Sequence, residues 1–398
     1  MIDFIKILAV FGLIIFLLRL KWNLGLVMLI ASLVLGVLFR LSAKAMIKSS
    51  FYGIIEPSTI NLGLALTLIL IFENILRKTE TLKNMMSSLR GIVRDSRIIM
   101  ASMPALIGLL PSAGGAVFSA PMVNEASSSL NISRERKAFI NYWFRHPWEY
   151  VLPLYPGIVL ASAIIGVPIV KLSLIQSPLA LGIILTGILW GFRGTGSSIH
   201  STKEGSRASL LISLLPVLSV ILMVLVLKIE LSLSLAIAII GLWIFHRYKP
   251  KDIFITIKEG VSFNIILLVA GVMVFKAILK ESGAVATLPD FFGRYGVPAT
   301  LIISLLPFIA GLLTGLTVGF VGITFPMITH LLGDNPPLNL MAFAFGCGYV
   351  GVLLSPVHLC LILTRDYFHA DLAGIYRRMM IPSLIILTIA FGIRLLNL

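Results

Sequence analysis

A series of long apolar runs constrains the fold more than any other feature of this 398-residue sequence. Each run is close to the roughly 20 residues that an α-helix needs to cross the hydrocarbon core of a bilayer. Charged residues make up 12% of the chain, about half of their usual share in soluble domains, and the mean hydropathy is +1.03. The sequence therefore predicts an all-α polytopic membrane protein with about ten transmembrane helices. These are expected near residues 4–18, 22–39, 56–76, 147–166, 172–192, 208–228, 230–246, 260–280, 338–364 and 379–396.

Two further apolar stretches, 98–128 and 298–332, are too long and too interrupted to be single spans. Each carries proline and glycine in its middle, as in LLPSAGGAVFSAPM at 109–122. A re-entrant helical hairpin, which enters the membrane, turns at mid-depth and leaves on the same side, accounts for both stretches. The alternatives are two full spans, or a kinked helix whose glycines allow close packing.

The net charge of +15 comes from basic residues that lie between the apolar runs and form no separate domain. Nucleic-acid binding is therefore not expected. With both hairpins re-entrant, the connecting segments on one side hold 22 of the 32 Lys and Arg residues, and this excess marks the cytoplasmic side. The sequence thus predicts a multi-pass plasma-membrane protein with both termini on the extracytoplasmic face.

The sequence also resembles itself at a spacing of about 200 residues. The hairpin sequence at 103–123 matches the sequence at 306–328, and a later match pairs Pro156 with Pro356. Because the matches keep a common order and the two hairpins open to opposite sides, they predict inverted-topology repeats of the kind found in secondary transporters.

The repeat divides the chain into four expected parts. The parts are N-terminal helices outside the repeat at 1–50, a first repeat at 51–192 with its hairpin at 98–128 and a broken helix at 141–166, a connector with linking helices at 193–258, and a second repeat at 259–398 with its hairpin at 298–332 and a broken helix at 338–364. The broken helices are expected because proline interrupts the backbone hydrogen bonds of a span.

The two hairpin tips are the first candidates for a binding site. Non-helical backbone at membrane depth must be buried in protein or line a wet cavity, because an unpaired N–H or C=O in hydrocarbon costs several kcal/mol. The helix that follows each tip would direct its positive end inward, which suits an anion. The candidate substrate-binding residues are Ser112, Gly114, Gly115, Ser119, Thr314, Gly315, Thr317 and Gly319.

The sequence NYWFRHPWEYVLPLYPG at 141–157 is the densest polar cluster in an apolar setting. Arg145 is a candidate ligand for an anionic group, and His146 and Glu149 are candidates for coupling transport to a proton or another ion. The alternative is that Arg145 and His146 anchor the helix at the cytoplasmic interface, with Glu149 as an ion-pair partner of Arg145.

Three further candidates lie inside predicted spans elsewhere. Glu73 and Lys276 occupy equivalent repeat positions, and intramembrane charges are usually paired or functional. A Glu73–Lys276 bridge, a coupling role for Glu73 and an interfacial position for Glu73 are the three interpretations. His358, in the second broken helix, is either a substrate-binding candidate or a satisfied core histidine.

No motif in the sequence indicates an enzyme, a metal site or a cofactor. The two cysteines, Cys347 and Cys360, lie in apolar sequence without metal-ligand spacing. There is no nucleotide-binding glycine loop followed by Lys-Ser/Thr, no HExxH and no GxSxG.

The elements LLPSAGGAVFSAPM and FRHPWEYVLPLYPG resemble an uncharacterised archaeal and bacterial integral-membrane family that is grouped with the ion transporter superfamily. That superfamily includes gluconate permeases, the large membrane subunits of tripartite dicarboxylate carriers, and arsenite and citrate carriers. The resemblance covers about residues 1–390 and implies an inverted-repeat carrier, often a homodimer, with elevator-like motion of a transport domain. The Ser-Asn-Thr signatures of the sodium-dicarboxylate carriers are absent from both hairpins.

These features predict a secondary active transporter that moves a small anionic solute across the plasma membrane by alternating access, coupled to H⁺ or Na⁺. The expected partners are the solute or ion and the lipid bilayer. A cation/proton antiporter that uses Glu73 or Glu149 is the first alternative. A membrane-embedded enzyme or lipid-handling protein is the second.

Overall fold

The computed structural model describes residues 2–111, 115–196, 206–284, 296–333 and 335–396. Within these ranges the chain forms 19 α-helices and no strand, which confirms the predicted all-α fold class. The helices are α1 (Ile2–Arg19), α2 (Leu24–Leu38), α3 (Ala43–Ile55), α4 (Pro57–Lys78), α5 (Thr81–Ile92), α6 (Ser96–Ile107), α7 (Ala116–Ala126), α8 (Arg134–Trp143), α9 (Pro156–Ile165), α10 (Ile169–Phe192), α11 (Arg207–Ile221), α12 (Leu231–Phe245), α13 (Pro250–Gly260), α14 (Phe263–Glu281), α15 (Ala299–Thr314), α16 (Thr317–Leu332), α17 (Leu338–Leu353), α18 (Leu359–Phe368) and α19 (Leu372–Arg394).

Among the described residues, five helices are long and apolar enough to cross a membrane. They are α4, α10, α11 together with its π-helical end at Leu222–Val226, α14 and α19. Each coincides with a predicted span, although α19 begins seven residues before the predicted 379. The total of ten spans, the side on which each terminus lies and the plasma-membrane location stay predictions.

Both broken helices are interrupted next to proline. In the first, a 3₁₀ turn at Pro147–Tyr150 precedes α9, and Pro156 is the first residue of α9. In the second, α17 ends at Leu353 and α18 begins only at Leu359, with Pro356 between them. Proline has no backbone N–H and fixes its own φ, so the helix cannot continue through these positions with its full set of hydrogen bonds.

The two candidate hairpins are pairs of packed helices. Helix α6 packs against α7, and α15 packs against α16. Gly315 ends α15 with a φ of +63°, a left-handed conformation that glycine adopts without a steric penalty. Whether the hairpins re-enter the membrane or span it stays a prediction.

The helix boundaries recur along the chain with one spacing. The first residues of three helix pairs, Ser96 and Ala299, Pro156 and Leu359, and Ile169 and Leu372, are each 203 residues apart. The predicted pairing of Pro156 with Pro356 was therefore wrong by three residues, and Pro153 holds the position equivalent to Pro356. Apolar sequences tolerate such slips because many residues in them are alike, whereas the start of a helix is fixed by its backbone hydrogen bonds.

One close backbone contact also recurs at this spacing. Gly108 lies against the carbonyl of Arg145, and Gly311 lies against the carbonyl of Gly348. A Cβ atom at either glycine would overlap that carbonyl oxygen. Each hairpin therefore approaches the interrupted region of its own repeat through the same glycine contact.

Tyrosines join the two interrupted regions at the centre of the core. Tyr142 donates a hydrogen bond to the carbonyl of Leu353 at 2.9 Å, and Tyr349 donates to the carbonyl of His146 at 3.1 Å. The rings of Tyr150 and Tyr349 meet edge to face, with centroids 4.6 Å apart. The carbonyls that lose helical partners at the breaks are thus satisfied across the repeat boundary, as a low-dielectric interior requires.

Candidate functional site

A cavity of about 230 Å³ lies where the two interrupted regions meet the tip of the second hairpin. Its wall includes Pro111, Arg145, Glu149, Tyr155, Thr317 and His358. Pro111 is the last described residue before the tip of the first hairpin, so parts of both repeats and both hairpins reach this cavity.

Three helix N-termini line the cavity. Helices α9, α16 and α18 begin at Pro156, Thr317 and Leu359, which all belong to its wall. The residues that precede these helices make no side-chain capping hydrogen bond. The positive ends of three helix dipoles therefore border one small volume, an arrangement that attracts an anion.

Two side chains of opposite charge, the buried Arg145 and the partly buried Glu149, belong to the same wall. Arg145 is only 4% exposed, so the interpretation of this side chain as an anchor at the membrane interface does not fit the structure. The Glu149 carboxylate accepts a hydrogen bond from Thr317 Oγ1 at 2.6 Å, which connects the first interrupted region to the second hairpin. Its other oxygen lies 3.9 Å from Nε2 of His146.

His146 and His358 meet beside the cavity. Their Nε2 atoms are 3.1 Å apart, and the thiol of Cys360 completes a group whose donor atoms all lie within 4.8 Å of one another. The Nδ1 atoms of the two histidines face the carbonyls of Tyr142 and Gly315 at 2.6 and 2.7 Å. All three side chains are buried.

The described residues of the first hairpin mainly pack against neighbouring helices, and only Pro111 among them lines the cavity. Ser119 is fully buried and donates to Oδ1 of Asn141 at 2.7 Å. Asn141 in turn donates to the carbonyl of Ala116 at 3.0 Å and to Thr364 at 3.1 Å. Ser119 therefore holds α7 against α8 and α18. The predicted tip residues Ser112 and Gly114 lie outside the described residues, and Gly115 is not in the cavity wall.

The second hairpin contributes two of its four candidates. Gly315 and Thr317 line the cavity. Thr314 instead donates to the carbonyl of Ala310 at 2.7 Å, and Gly319 packs against Thr314. The Thr314 hydroxyl is therefore used within α15, whereas Gly315 and Thr317 contribute to the cavity wall.

Glu73 and Lys276 do not form the ion pair that the repeat suggested. Lys276 donates to the carbonyl of Ile164 at 2.9 Å, and the ion pairs among the described residues do not join it to Glu73. Glu73 is half-buried in α4 and outside the cavity wall. Its coupling role stays a prediction.

A larger opening of about 590 Å³ lies elsewhere, between α3 and α14. Its wall includes Lys48, Glu56, Lys276 and Lys280, which come from continuous helices or their ends. The described residues of this wall include no interrupted helix and no hairpin tip. The smaller cavity is the better candidate because three uncapped helix N-termini meet the buried Arg145 and the partly buried Glu149 there.

Sequence reasoning missed Tyr155 and Cys360 in the cavity wall. The hydroxyl of Tyr155 donates to the carbonyl of Gly108, which ties the first interrupted region to its hairpin. Cys360 follows His358 by two residues, a spacing that was visible in the sequence but had no second histidine nearby. His146, which supplies it, is 212 residues from His358.

The fold and the cavity define a helical, membrane-type protein with a buried polar site between interrupted helices. The chain belongs to the family described as Protein of unknown function (DUF401), whose model matches residues 5–396. This confirms the resemblance to an uncharacterised family over nearly the whole chain, while the relation to the ion transporter superfamily stays a prediction. No curated protein matches the sequence.

Proposed function

We propose that this protein is a secondary transporter of a small anion and that the cavity beside Arg145 is its binding site. The observation that carries the proposal is the meeting of three uncapped helix N-termini with a buried guanidinium in one cavity. Interrupted helices whose N-termini face an anionic group are a recurring design of secondary transporters.

The size of the cavity limits the solute. Sites for drug-sized ligands occupy about 300–1,000 Å³. The cavity here measures about 230 Å³, which suits an inorganic oxyanion or a short carboxylate. Arg145 would supply paired N–H donors to such a group, because its planar fork matches carboxylate and phosphate oxygens.

Glu149 gives a physical basis for proton coupling. With Arg145 and ionised Glu149 in one wall, the two side-chain charges cancel. Protonation of Glu149 leaves a net positive wall, which then favours an anion. Solute and proton would therefore bind together and cross the plasma membrane together, by alternating access of the cavity to the two sides.

An uptake screen in proteoliposomes tests the proposal. Purified protein is reconstituted, and uptake of radiolabelled monocarboxylates, dicarboxylates, phosphate and sulfate is measured with and without pH and Na⁺ gradients. We expect one anion class to accumulate only with a gradient, above the level in protein-free liposomes. No gradient-dependent uptake of any class would contradict the proposal.

The coupling residue is tested by Glu149→Gln, with Glu73→Gln as the matched control. We expect Glu149→Gln to retain anion binding and exchange but to lose the dependence of uptake on the pH gradient. Glu73→Gln should behave as the wild type. If Glu73→Gln instead abolishes proton-coupled cation flux, the antiporter alternative replaces this proposal.

A further inference from the structure

The cluster of His146, His358 and Cys360 has a feature that transport of an anion does not require. Two imidazole nitrogens and a sulfur, from chain positions more than 200 residues apart, converge in a buried space at the cavity wall. Imidazole and thiolate are the ligands that borderline and soft transition metals prefer.

The hydrogen bonds of the two rings fix their tautomers. Nδ1 of His146 faces the carbonyl of Tyr142, and Nδ1 of His358 faces the carbonyl of Gly315. A carbonyl oxygen only accepts, so each Nδ1 must carry a proton. In the neutral form of each ring, Nε2 then carries no proton and has a free lone pair.

These two lone pairs point into the same space. The Nε2 atoms are 3.1 Å apart, and like lone pairs at that distance repel unless a positive group lies between them. Two nitrogens bound tetrahedrally to Zn²⁺ at 2.0–2.1 Å stand about 3.3 Å apart, close to the observed separation. Without a metal, a proton between the nitrogens and hydrogen bonds from His146, His358 and Arg145 to the sulfur of Cys360 would hold the group together. A metal ion would instead accept electron pairs from all three donor atoms.

The surroundings match those of protein metal ligands in a second respect. Metal-bound histidines usually donate their other ring N–H to a carbonyl or carboxylate, which fixes the ring and raises its basicity. Both histidines here do so. Glu149 has a carboxylate oxygen 3.9 Å from Nε2 of His146, so an oxygen ligand lies within reach of a small side-chain movement.

We propose that His146, His358 and Cys360 form a binding site for a late first-row transition-metal ion, represented by Zn²⁺. Nε2 of each histidine and the thiolate of Cys360 bind the ion, and a fourth position opens toward the cavity. The thiol proton passes to solvent when the metal binds. The site holds whether or not the chain transports an anion, because its ligands do not depend on a solute.

Metal binding by the purified full-length chain in detergent tests this site. Co²⁺ serves as the spectroscopic probe, because a thiolate ligand produces a charge-transfer band and tetrahedral geometry produces intense visible bands. We expect one Co²⁺ per chain with both signals, and displacement of Co²⁺ by Zn²⁺. Competition with Cu⁺ then assigns the preferred ion: tighter Cu⁺ binding that requires Cys360 supports a copper site, and weaker binding supports zinc.

Cys360→Ser is the decisive variant, and Cys347→Ser, at the other buried cysteine, is its matched control. We expect Cys360→Ser to lose the charge-transfer band and to bind Zn²⁺ at least 100-fold more weakly, and Cys347→Ser to match the wild type. His358→Gln, compared with His246→Gln, tests a nitrogen ligand in the same way.

Folding is monitored separately so that a misfolded variant is not mistaken for a metal-binding defect. Gel filtration and far-UV circular dichroism should show the same folded protein in all variants. Zn²⁺ should raise the Tm of the wild type and of Cys347→Ser, and leave the Tm of folded Cys360→Ser unchanged. The proposal is overturned if the wild type binds neither Co²⁺, Zn²⁺ nor Cu⁺ at micromolar concentrations, or if Cys360→Ser keeps the charge-transfer band.

Discussion

The two interrupted regions share a backbone plan and differ in chemistry. At the spacing of 203 residues, Arg145 corresponds to Gly348 and Glu149 corresponds to Val352. The first region thus brings the wall charges, while the second presents glycine and valine to the core. Helix breaks and glycine contacts thus recur in both halves, whereas the charges of the cavity wall come from the first half alone.

The difference is not one-sided, since the second region contributes its own polar groups. His358 corresponds to Tyr155, and Cys360 corresponds to Gly157. All four belong to the cavity wall. Equivalent positions of the two repeats therefore face one cavity from two sides, with a phenol and a glycine on one side and an imidazole and a thiol on the other.

The shared glycine contact gives the largest expected effect. Gly108→Val and Gly311→Val each place a side chain against a carbonyl of a neighbouring segment. Overpacking usually lowers the free energy of unfolding by about 1–3 kcal/mol. Because the neighbouring atom here is rigid backbone, we expect a loss of about 3 kcal/mol in both variants. Thermal unfolding in detergent should show similar losses of Tm. Gly63→Val, where a Cβ has open space, is the control, and a loss at only one of the two sites would contradict a shared frame.

The charge that only the first region carries gives the next effect. Arg145→Gln removes a hydrogen-bonding charge from the cavity wall, and charged hydrogen bonds contribute about 1.5–3 kcal/mol. We expect uptake at low solute concentration to fall about 100-fold. Arg145→Lys should be intermediate, because it keeps the charge but not the planar fork. Equal uptake by the wild type and Arg145→Gln would remove Arg145 from the site.

The buried hydrogen bonds of Asn141, which the second repeat lacks, should have a smaller effect on stability. Asn141 corresponds to Ala344, and Asn141 joins α7, α8 and α18 through Ser119, Ala116 and Thr364. Asn141→Ala makes the two repeats alike at this position and leaves buried partners unsatisfied. We expect a loss of about 2 kcal/mol in unfolding free energy. Asn84→Ala, on the exposed face of α5, should leave the Tm unchanged, and an unchanged Tm in Asn141→Ala would contradict the proposed contact.

The smallest effect concerns the ends of the equivalent helices α4 and α14. Lys78 binds the Glu259 carboxylate at 2.5 Å, and Asn74 donates to it at 2.8 Å. These two hydrogen bonds hold the pKa of Glu259 below its usual value, and the bond from Lys78 has the larger effect. Because the folded-state pKa is lowered, this stabilisation is present at neutral pH and is lost as the pH falls below about 4.

The Tm of Glu259→Gln should therefore fall slightly less than that of the wild type when the pH is lowered from neutral to acidic. The effect is small because both side chains are exposed and water screens the pair. Glu281 holds the position equivalent to Lys78, and the ion pairs of the described chain do not include it. Glu281→Gln is accordingly the control, and an equal change in both variants would mean that the Lys78 contact has no specific role.

The sequence identified several residues of the candidate site one by one, without showing that they lie together. Arg145, Glu149, Gly315, Thr317 and His358 were all predicted, and all lie in the cavity wall. Arg145, Glu149 and His358 were recognisable as polar residues within two positions of a proline in apolar sequence, and Gly315 and Thr317 as part of the Gly- and Thr-containing middle of the second hairpin. Ser119 carried the same kind of signal but serves packing, since a buried hydroxyl looks the same in sequence whether it meets a solute or Asn141.

The sequence by itself determined the all-α membrane-type fold and the places where proline interrupts helices, and it predicted a repeat. These follow from local hydropathy, from the missing N–H of proline and from self-similarity, which need no knowledge of distant contacts. The tertiary structure decided the register of the repeat, the convergence of three helix N-termini and the meeting of His146, His358 and Cys360. Each of these joins residues far apart in the chain, and only packing of the two repeats against each other brings such residues within a few ångströms.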